Sequence, residues 1–416
     1  MVLTADGCPD PAHRPPLTKQ EAVALLLSDA RPIGDSETVP TDAGLGRVLA
    51  APVVSAIAVP GWDNSAMDGY AIRCADLAGG PARLRVTQRI PAGAVGQALA
   101  PGTAARIFTG APVPPGADAV EIQERCQRDG DWVQVPAGLV PGTNIRRAGE
   151  DIGSGAEVIA AGTRLRPQHL GLAASVGAAH LRVYRQLRVA VFSSGDELVM
   201  PGEPLGPGQI YNSNRFTLNG LLRGFGCTIV DLGMVPDTLD ATVAAMRRGA
   251  AADLILASGG VSVGEEDHVK PAIEQLGTLD LWNVAVRPGK PLAFGHVLGT
   301  PFLGSPGNPV SLFVTFLLFV RPFLLRRQGV AGDLEPLSLK IRAGFDWPRP
   351  DRRREFHRAR LARGQDGDWE VVVHPSRSAG VLSSVAWADG LVEIPEGRAI
   401  GRGDPVDFLP FDRLLY

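Results

Sequence analysis

The chain has 416 residues, 41 Lys and Arg against 44 Asp and Glu, a formal charge of −3, and a hydrophobic fraction of 45%. That length sets roughly two to four domains with real cores, and the balanced charge excludes the basic field of a nucleic-acid binder. Four cysteines (Cys8, Cys74, Cys126, Cys227) lie far apart with no CxxC pair. This argues against a disulfide framework or a zinc site and suits a reducing cytoplasm.

Residues 1–16 have no apolar signal segment and read as a loose tail. Thr18 and Glu21 form a capping-box pattern that opens a helix over 21–27. Residues 47–59 read as extended. From Pro60 to Tyr70 the chain is dense in turn formers, which predicts a structured loop or one presenting Ser65 and Asp68 to a partner. Short alternating runs follow at 84–86, 105–108, 119–122 and 132–135, separated by Gly/Pro turns. They predict a small β-rich module, with Thr109-Gly110-Ala111-Pro112 closing one strand. The charged loop from Asn144 to Ile152, which includes Asp151, is either a solvated turn or an anion grip. Pro167 starts a helix over 169–176, ended by Gly177. This helix is expected to close on the one from Glu21, making the β module an insertion.

Residues 187–327 alternate strand and helix as an α/β fold does. Strands are expected at 189–192, 228–232, 254–257, 281–286 and 302–303. Helices are expected near 215–223, 239–248 and 269–276, with a long final one from Pro309 capped by Asn308. Polar or glycine loops follow the strand ends: Ser193 to Glu197, Asp237, Gly259 to Asp267, and Gly304 to Asn308. Ligands of open parallel sheets bind at those ends. The longest apolar run, 310–320, is too short to span a bilayer and is closed by Arg321-Pro322, so a soluble intracellular protein with no membrane role is expected. Short strands return at 337–341, 355–361, 369–373, 391–394 and 404–408 and read as a small β-barrel. Arg352-Arg353-Arg354 at its entry reads as a surface stripe.

The fold class is therefore multidomain α/β plus β. Residues 1–57 and 145–186 are expected to form two halves of an N-terminal domain around an inserted β-rich module at 58–144. A doubly wound α/β domain over 187–330 and a β-barrel over 331–416 complete it.

The stretch from Asp253 to Lys290 carries the clearest chemistry. A buried strand breaks into Gly259-Gly260-Val261-Ser262-Val263-Gly264, then Glu265, Glu266 and Asp267, with Arg287-Pro288-Gly289-Lys290-Pro291 one unit later. Consecutive backbone N–H groups suit an oxyanion. Carboxylates beside such a loop suggest Mg²⁺ between them and the anion, with Lys290 as counter-charge. A plain βα turn with an acidic helix start uses the same residues.

Together these segments resemble the MoeA family of molybdopterin molybdenumtransferases, which includes the E domain of gephyrin. The matching segments are Asp63 to Tyr70, Ile107 to Pro112, Gly149 to Ile152, Ser193 to Leu198, Gly259 to Glu265, Arg287 to Pro291 and Pro306 to Val310. The family usually has Lys where this chain has Arg287, and Asp-Asp where it has Asp237-Thr238, and its serine and glycine cluster before Leu382, the C-terminal part of the site, reads Ser376-Arg377-Ser378-Ala379-Gly380 here. The resemblance implies a MogA-like central fold and insertion of molybdate into adenylylated molybdopterin, with Mg²⁺-dependent release of AMP. It implies Asp68, Thr109, Asp151, Glu197 and Lys290 as catalytic residues. Ser194, Gly195, Gly259, Gly260, Ser262, Gly264, Arg287, Pro306, Gly307 and Asn308 would bind the pterin substrate, and Asp237, Asp267 and Glu197 the metal. It further implies a homodimer whose sites draw on both chains, with molybdopterin adenylyltransferase and molybdoenzyme chaperones as candidate further partners. Two alternatives are an adenylyltransferase, which is the α/β domain alone, and a gephyrin-like scaffold.

Overall fold

The computed structural model describes residues 15–261 and 268–415. Ser262, Gly264 and Asp267 lie outside the described residues.

The capping box is present at Thr18 and Glu21, and the helix it opens runs Lys19–Asp29. Ala22 and Leu26 bury its inner face in a core shared with the helices that follow Pro309. The expected pairing with the helix Pro167–Ser175 is corrected: Ala173 of that helix belongs to a different core, with Leu49, Val53, Leu165 and Val183. Strand pairing closes this second core. Ser36–Pro40 pairs antiparallel with His180–Tyr184, and Val53–Val54 with Glu157–Ile159. Between these segments lies a six-stranded sheet in the order Ala119–Ile122, Gly69–Ile72, Thr103–Ile107, Ala82–Ile90, Trp132–Val135, Gln127–Asp129.

The central sheet has the order Thr228–Val235, Arg188–Ser194, Leu254–Ser258, Thr300–Ser305, Pro291–Val297, Gly277–Asn283. The first four strands are parallel. Successive residues of a strand face opposite sides, and two cores result. Val189, Val191, Leu254, Leu256 and Leu303 pack on one face, with Leu218 and Leu222 of the helix Ser213–Gly224. Ala190, Phe192, Ile255, Ala257 and Phe302 pack on the other, with Met246 and Ile273 of the helices Leu239–Gly249 and Val269–Leu276. Helices on both faces make the sheet doubly wound.

Two expectations about this sheet are corrected. The strand expected over 281–286 is two strands: Gly277–Asn283 stays in the sheet, while Val286–Arg287 pairs with Arg354 and Glu355. Between them and the last parallel strand runs Pro291–Val297, antiparallel to both neighbours. A proline at its first residue and Gly295 inside it hid this strand.

The helical stretch Pro309–Arg327 is also longer than expected, because Arg321-Pro322 does not close it. Phe316–Val320 is a π turn in which the Arg321 N–H donates back to the Phe316 carbonyl. This wider turn sits just ahead of Pro322, where a regular helix would meet the proline ring. The stretch is long and apolar enough to cross a membrane, yet nearly all of it is buried inside this protein. It is the spine of the largest core.

The C-terminal strands Arg354–Arg363, Trp369–Val373, Leu339–Ala343, Pro405–Pro410 and Gly390–Ile394 close into a five-stranded barrel. Val286–Arg287 extends it by parallel pairing, which brings the Arg287–Pro291 turn against the barrel wall.

Candidate active site

Parallel strands place the loops that follow them at one edge of a sheet. Ser194, Asp237, Gly259 and Pro306 follow or end four such strands, and all line one cavity of about 720 Å³. Its wall also includes Gly195, Glu197, Gly260, Arg287, Lys290, Gly307 and Asn308. Residues that the sequence scatters over more than a hundred positions are here one surface.

The loops are tied to one another. The Ser194 hydroxyl donates to one oxygen of Asp237, and the other accepts from the Asp196 N–H at 3.2 Å. The Asp237 N–H returns a bond to Asp196 Oδ1 at 3.1 Å. Asn214 Nδ2 donates to Ser258 Oγ at 3.0 Å and to the Gly307 carbonyl at 2.7 Å, joining the third and fourth loops. Gly259 has φ +88°, and a Cβ there would press into the Ser194 carbonyl oxygen. Only glycine allows that approach. Gly289 (φ +104°) is similar, since a Cβ would lie 2.6 Å from Thr315 Oγ1.

The barrel supplies the rest. Arg353, Arg377, Ser378 and Ala379 line the same cavity, so the reading of Arg352–Arg354 as a surface stripe holds for exposed Arg352 and is corrected for Arg353 and Arg354. Asp351 accepts from Arg353 Nη2 at 3.0 Å and from Arg287 Nη1 at 2.9 Å. Arg353 first, then Arg287, holds the Asp351 carboxyl well below the usual carboxylate range, against the effect of partial burial. Arg354 is instead spent on Glu393 and Glu396. Arg377 stacks 3.4 Å from the centroid of the Trp347 ring, whose Nε1 donates to buried Glu355 at 2.9 Å. Buried Arg358 donates to Ser384 Oγ at 2.8 Å and to the carbonyls of Ser376 and Ser378 at 2.5 and 3.3 Å. The Val310 N–H donates to the Ala379 carbonyl at 3.0 Å, so this barrel segment lies on the amino end of the helix from Pro309.

The cavity thus faces four cations, Arg287, Lys290, Arg353 and Arg377, toward two carboxylates, Glu197 and Asp237. Lys290 is exposed and makes no ion pair among the described residues. Such a wall suits a ligand with several negative oxygens. Among the described residues no group of three His, Cys, Asp or Glu is placed to hold a metal ion. Asp237 and Glu197 offer oxygen donors from one wall, and one or two carboxylates plus ligand phosphates are what Mg²⁺ ordinarily uses.

Asp68, Thr109 and Asp151 are elsewhere and do not line the cavity. Asp68 Oδ1 accepts from the Thr109 N–H at 2.8 Å and from its hydroxyl at 2.9 Å, and these bonds lower its pKa. Asp151 is exposed, its backbone N–H bonded to the Val59 carbonyl at 3.1 Å. The structure joins the first two residues to each other and leaves the third apart.

A mostly parallel sheet with an anion-suited cavity at its strand ends, completed by a barrel, defines a ligand-binding α/β class. Three family descriptions match in chain order. They are the MoeA N-terminal region (domain I and II) over residues 17–177, a probable molybdopterin binding domain over 190–326, and the MoeA C-terminal region (domain IV) over 340–411. A protein of Haemophilus influenzae named molybdopterin molybdenumtransferase is 37% identical over 403 residues, covering 96% of this chain and all of the relative. Molybdopterin molybdenumtransferase 2 of Mycobacterium tuberculosis is 40% identical over 390 residues, covering 91% and 94%. The crystal structure of the molybdopterin biosynthesis moeA protein from Pyrococcus horikoshii OT3 superimposes with a TM-score of 0.82 at 30% identity, over 95% of this chain and all of that one. The chain belongs to the MoeA family.

Proposed function

We propose that this protein is a molybdopterin molybdenumtransferase, which takes adenylylated molybdopterin and molybdate and yields molybdenum cofactor and AMP. The observation that carries the reading is the single cavity in which two carboxylates of the sheet face cations drawn from both sheet and barrel. Both substrates are anions, so their meeting needs fixed positive charge. Arg287 and Arg353, held by Asp351, orient phosphate or oxyanion oxygens, and Lys290 stabilises charge that develops when the phosphoanhydride breaks. Gly259 and Gly260 let the backbone approach the ligand. Asp237 and Glu197 would hold Mg²⁺, which when bound polarises the phosphoanhydride. Matches over the whole chain favour this reading over an adenylyltransferase or a scaffold.

We further place Asp68, Thr109 and Asp151 in the cleft of a second copy, as a homodimer would bring them. The free thiols of Cys74, Cys126 and Cys227 support a cytoplasmic setting.

The test is incubation with adenylylated molybdopterin, Mg²⁺ and molybdate, following AMP and cofactor together. Release of AMP without cofactor, or synthesis of adenylylated molybdopterin from ATP instead, would sink the assignment.

A further inference from the structure

A second cavity, of about 650 Å³, shares no lining residue with the candidate active site. It lies where residues 45–47 and 164–168 meet Gln186, residues 223–226 and the C-terminal Asp412-Arg413. Five arginines line it, Arg47, Arg164, Arg166, Arg223 and Arg413, against one carboxylate, Asp412.

Most of that charge is not neutralised. Arg47 pairs with Glu37. Arg164 lies over the Phe225 ring at 5.3 Å and donates to the Gly224 carbonyl at 3.1 Å, contacts that leave its charge uncompensated. Burial lowers its pKa, and Arg166 beside it lowers it further. Exposed Arg166, Arg223 and Arg413 form no ion pair among the described residues. Buried Arg321 is pushed down to about 10 by burial and then by the charge of Arg164. Like charges gathered around one concavity repel each other, and an anion in the concavity removes that cost.

We propose that this cleft is a second anion-binding site, for a small molecule with adjacent phosphate groups of the pyrophosphate or nucleoside diphosphate class. Guanidinium forks match phosphate oxygens in pairs, and a single phosphate is too small to engage four of them. The first turn of the helix Pro167–Ser175 lines the cleft through Pro167 and Gln168, adding the positive end of its dipole. Leu45, Leu165 and the Gln186 amide offer surface for an organic remainder. The volume suits a ligand of that size.

Titration calorimetry of the full chain with inorganic pyrophosphate tests this. Wild type should show one class of site per chain that survives Lys290→Gln and weakens as salt rises. Arg166→Gln with Arg223→Gln should weaken that class at least tenfold and leave AMP release unchanged, whereas Arg166→Lys with Arg223→Lys, which keeps the charge and loses the forks, should weaken it less than the Gln pair does. Should the Gln pair unfold, as a thermal melt would reveal, Arg413→Gln alone should still weaken that class severalfold. Binding within twofold of wild type in the arginine variants overturns the site, as does a single class abolished by Lys290→Gln.

Discussion

Arg287 reaches Asp351 across the junction of sheet and barrel, Nη1 to carboxylate at 2.9 Å. The same carboxylate holds Arg353 through Nε at 3.2 Å and Nη2 at 3.0 Å. One acid therefore positions two of the four cavity cations. Asp351→Asn is expected to cost about 1–2 kcal/mol, discounted because both arginines are partly exposed. It should also lower kcat/KM at least tenfold. Because the folded-state pKa is depressed, the stability deficit is fully present above the unfolded value near 4 and shrinks only as pH falls below it. Urea unfolding of both proteins from pH 7 to pH 3 checks the sign.

Lys290 is exposed and lines the cavity with no ion pair among the described residues, so Lys290→Gln should leave the melting temperature unchanged. If the ammonium acts on charge that develops during reaction, kcat falls about 100-fold while KM moves little. Unaltered kinetics would reduce the residue to a solvated side chain.

Much of this cavity was legible in the sequence because its sheet loops announce themselves. Gly259-Gly260 and Pro306-Gly307-Asn308 each follow a short apolar run, and strand ends collect ligands. Arg353 was missed because a run of arginines looks the same on an open surface as beside a cavity, while Arg377 and Ser378 fall in the Ser376–Gly380 cluster, which departs from the family pattern and whose role the sequence left open. Only the parallel pairing of Arg287 with Glu355 turns that barrel wall inward. Pro322 misled for the opposite reason: proline usually ends a helix, and the π turn that accommodates it has no sequence signature.

Two histidines should titrate stability with opposite signs. His296 lies 3.3 Å from Asp29 and 3.4 Å from Asp280, and Asp280 foremost raises its pKa. Its contribution is present below about pH 6.5 and lost as pH rises through the folded value. His357 is buried 4.3 Å from the Trp347 ring, and burial lowers its pKa despite Glu355. Its contribution is present above about 6.5 and lost as pH falls. The deficit of His296→Gln should therefore narrow from pH 6 to pH 9. His357→Gln should lose less stability than wild type between pH 7 and pH 5.

Gly259→Ala combines a left-handed φ with a Cβ against the Ser194 carbonyl. It should cost about 1–3 kcal/mol and abolish turnover, because relief must move the Ser194–Asp237 pair. Gly102→Ala, at φ +71° with nothing within 4 Å of its Cβ, is the control for φ alone.

The last prediction concerns assembly. Asp68 and Thr109 form a bonded pair that does not line the cavity, and the loop carrying Asp68 exposes Trp62 and Met67 at 56% and 47%. Large apolar side chains beside polar residues that face solvent are what a second copy would cover. A two-fold axis would bring each loop to the other chain's cavity and close both clefts together. On this reading Asp68→Ala and Lys290→Gln each inactivate a pure dimer. Mixing them after subunit exchange gives heterodimers with one doubly damaged site and one intact site. At equal amounts half the dimers are mixed, so about a quarter of wild-type activity per chain should return. Exchange is followed with two differently tagged copies. Activity that stays at the level of the separate variants, with exchange complete, would place the whole site within one chain.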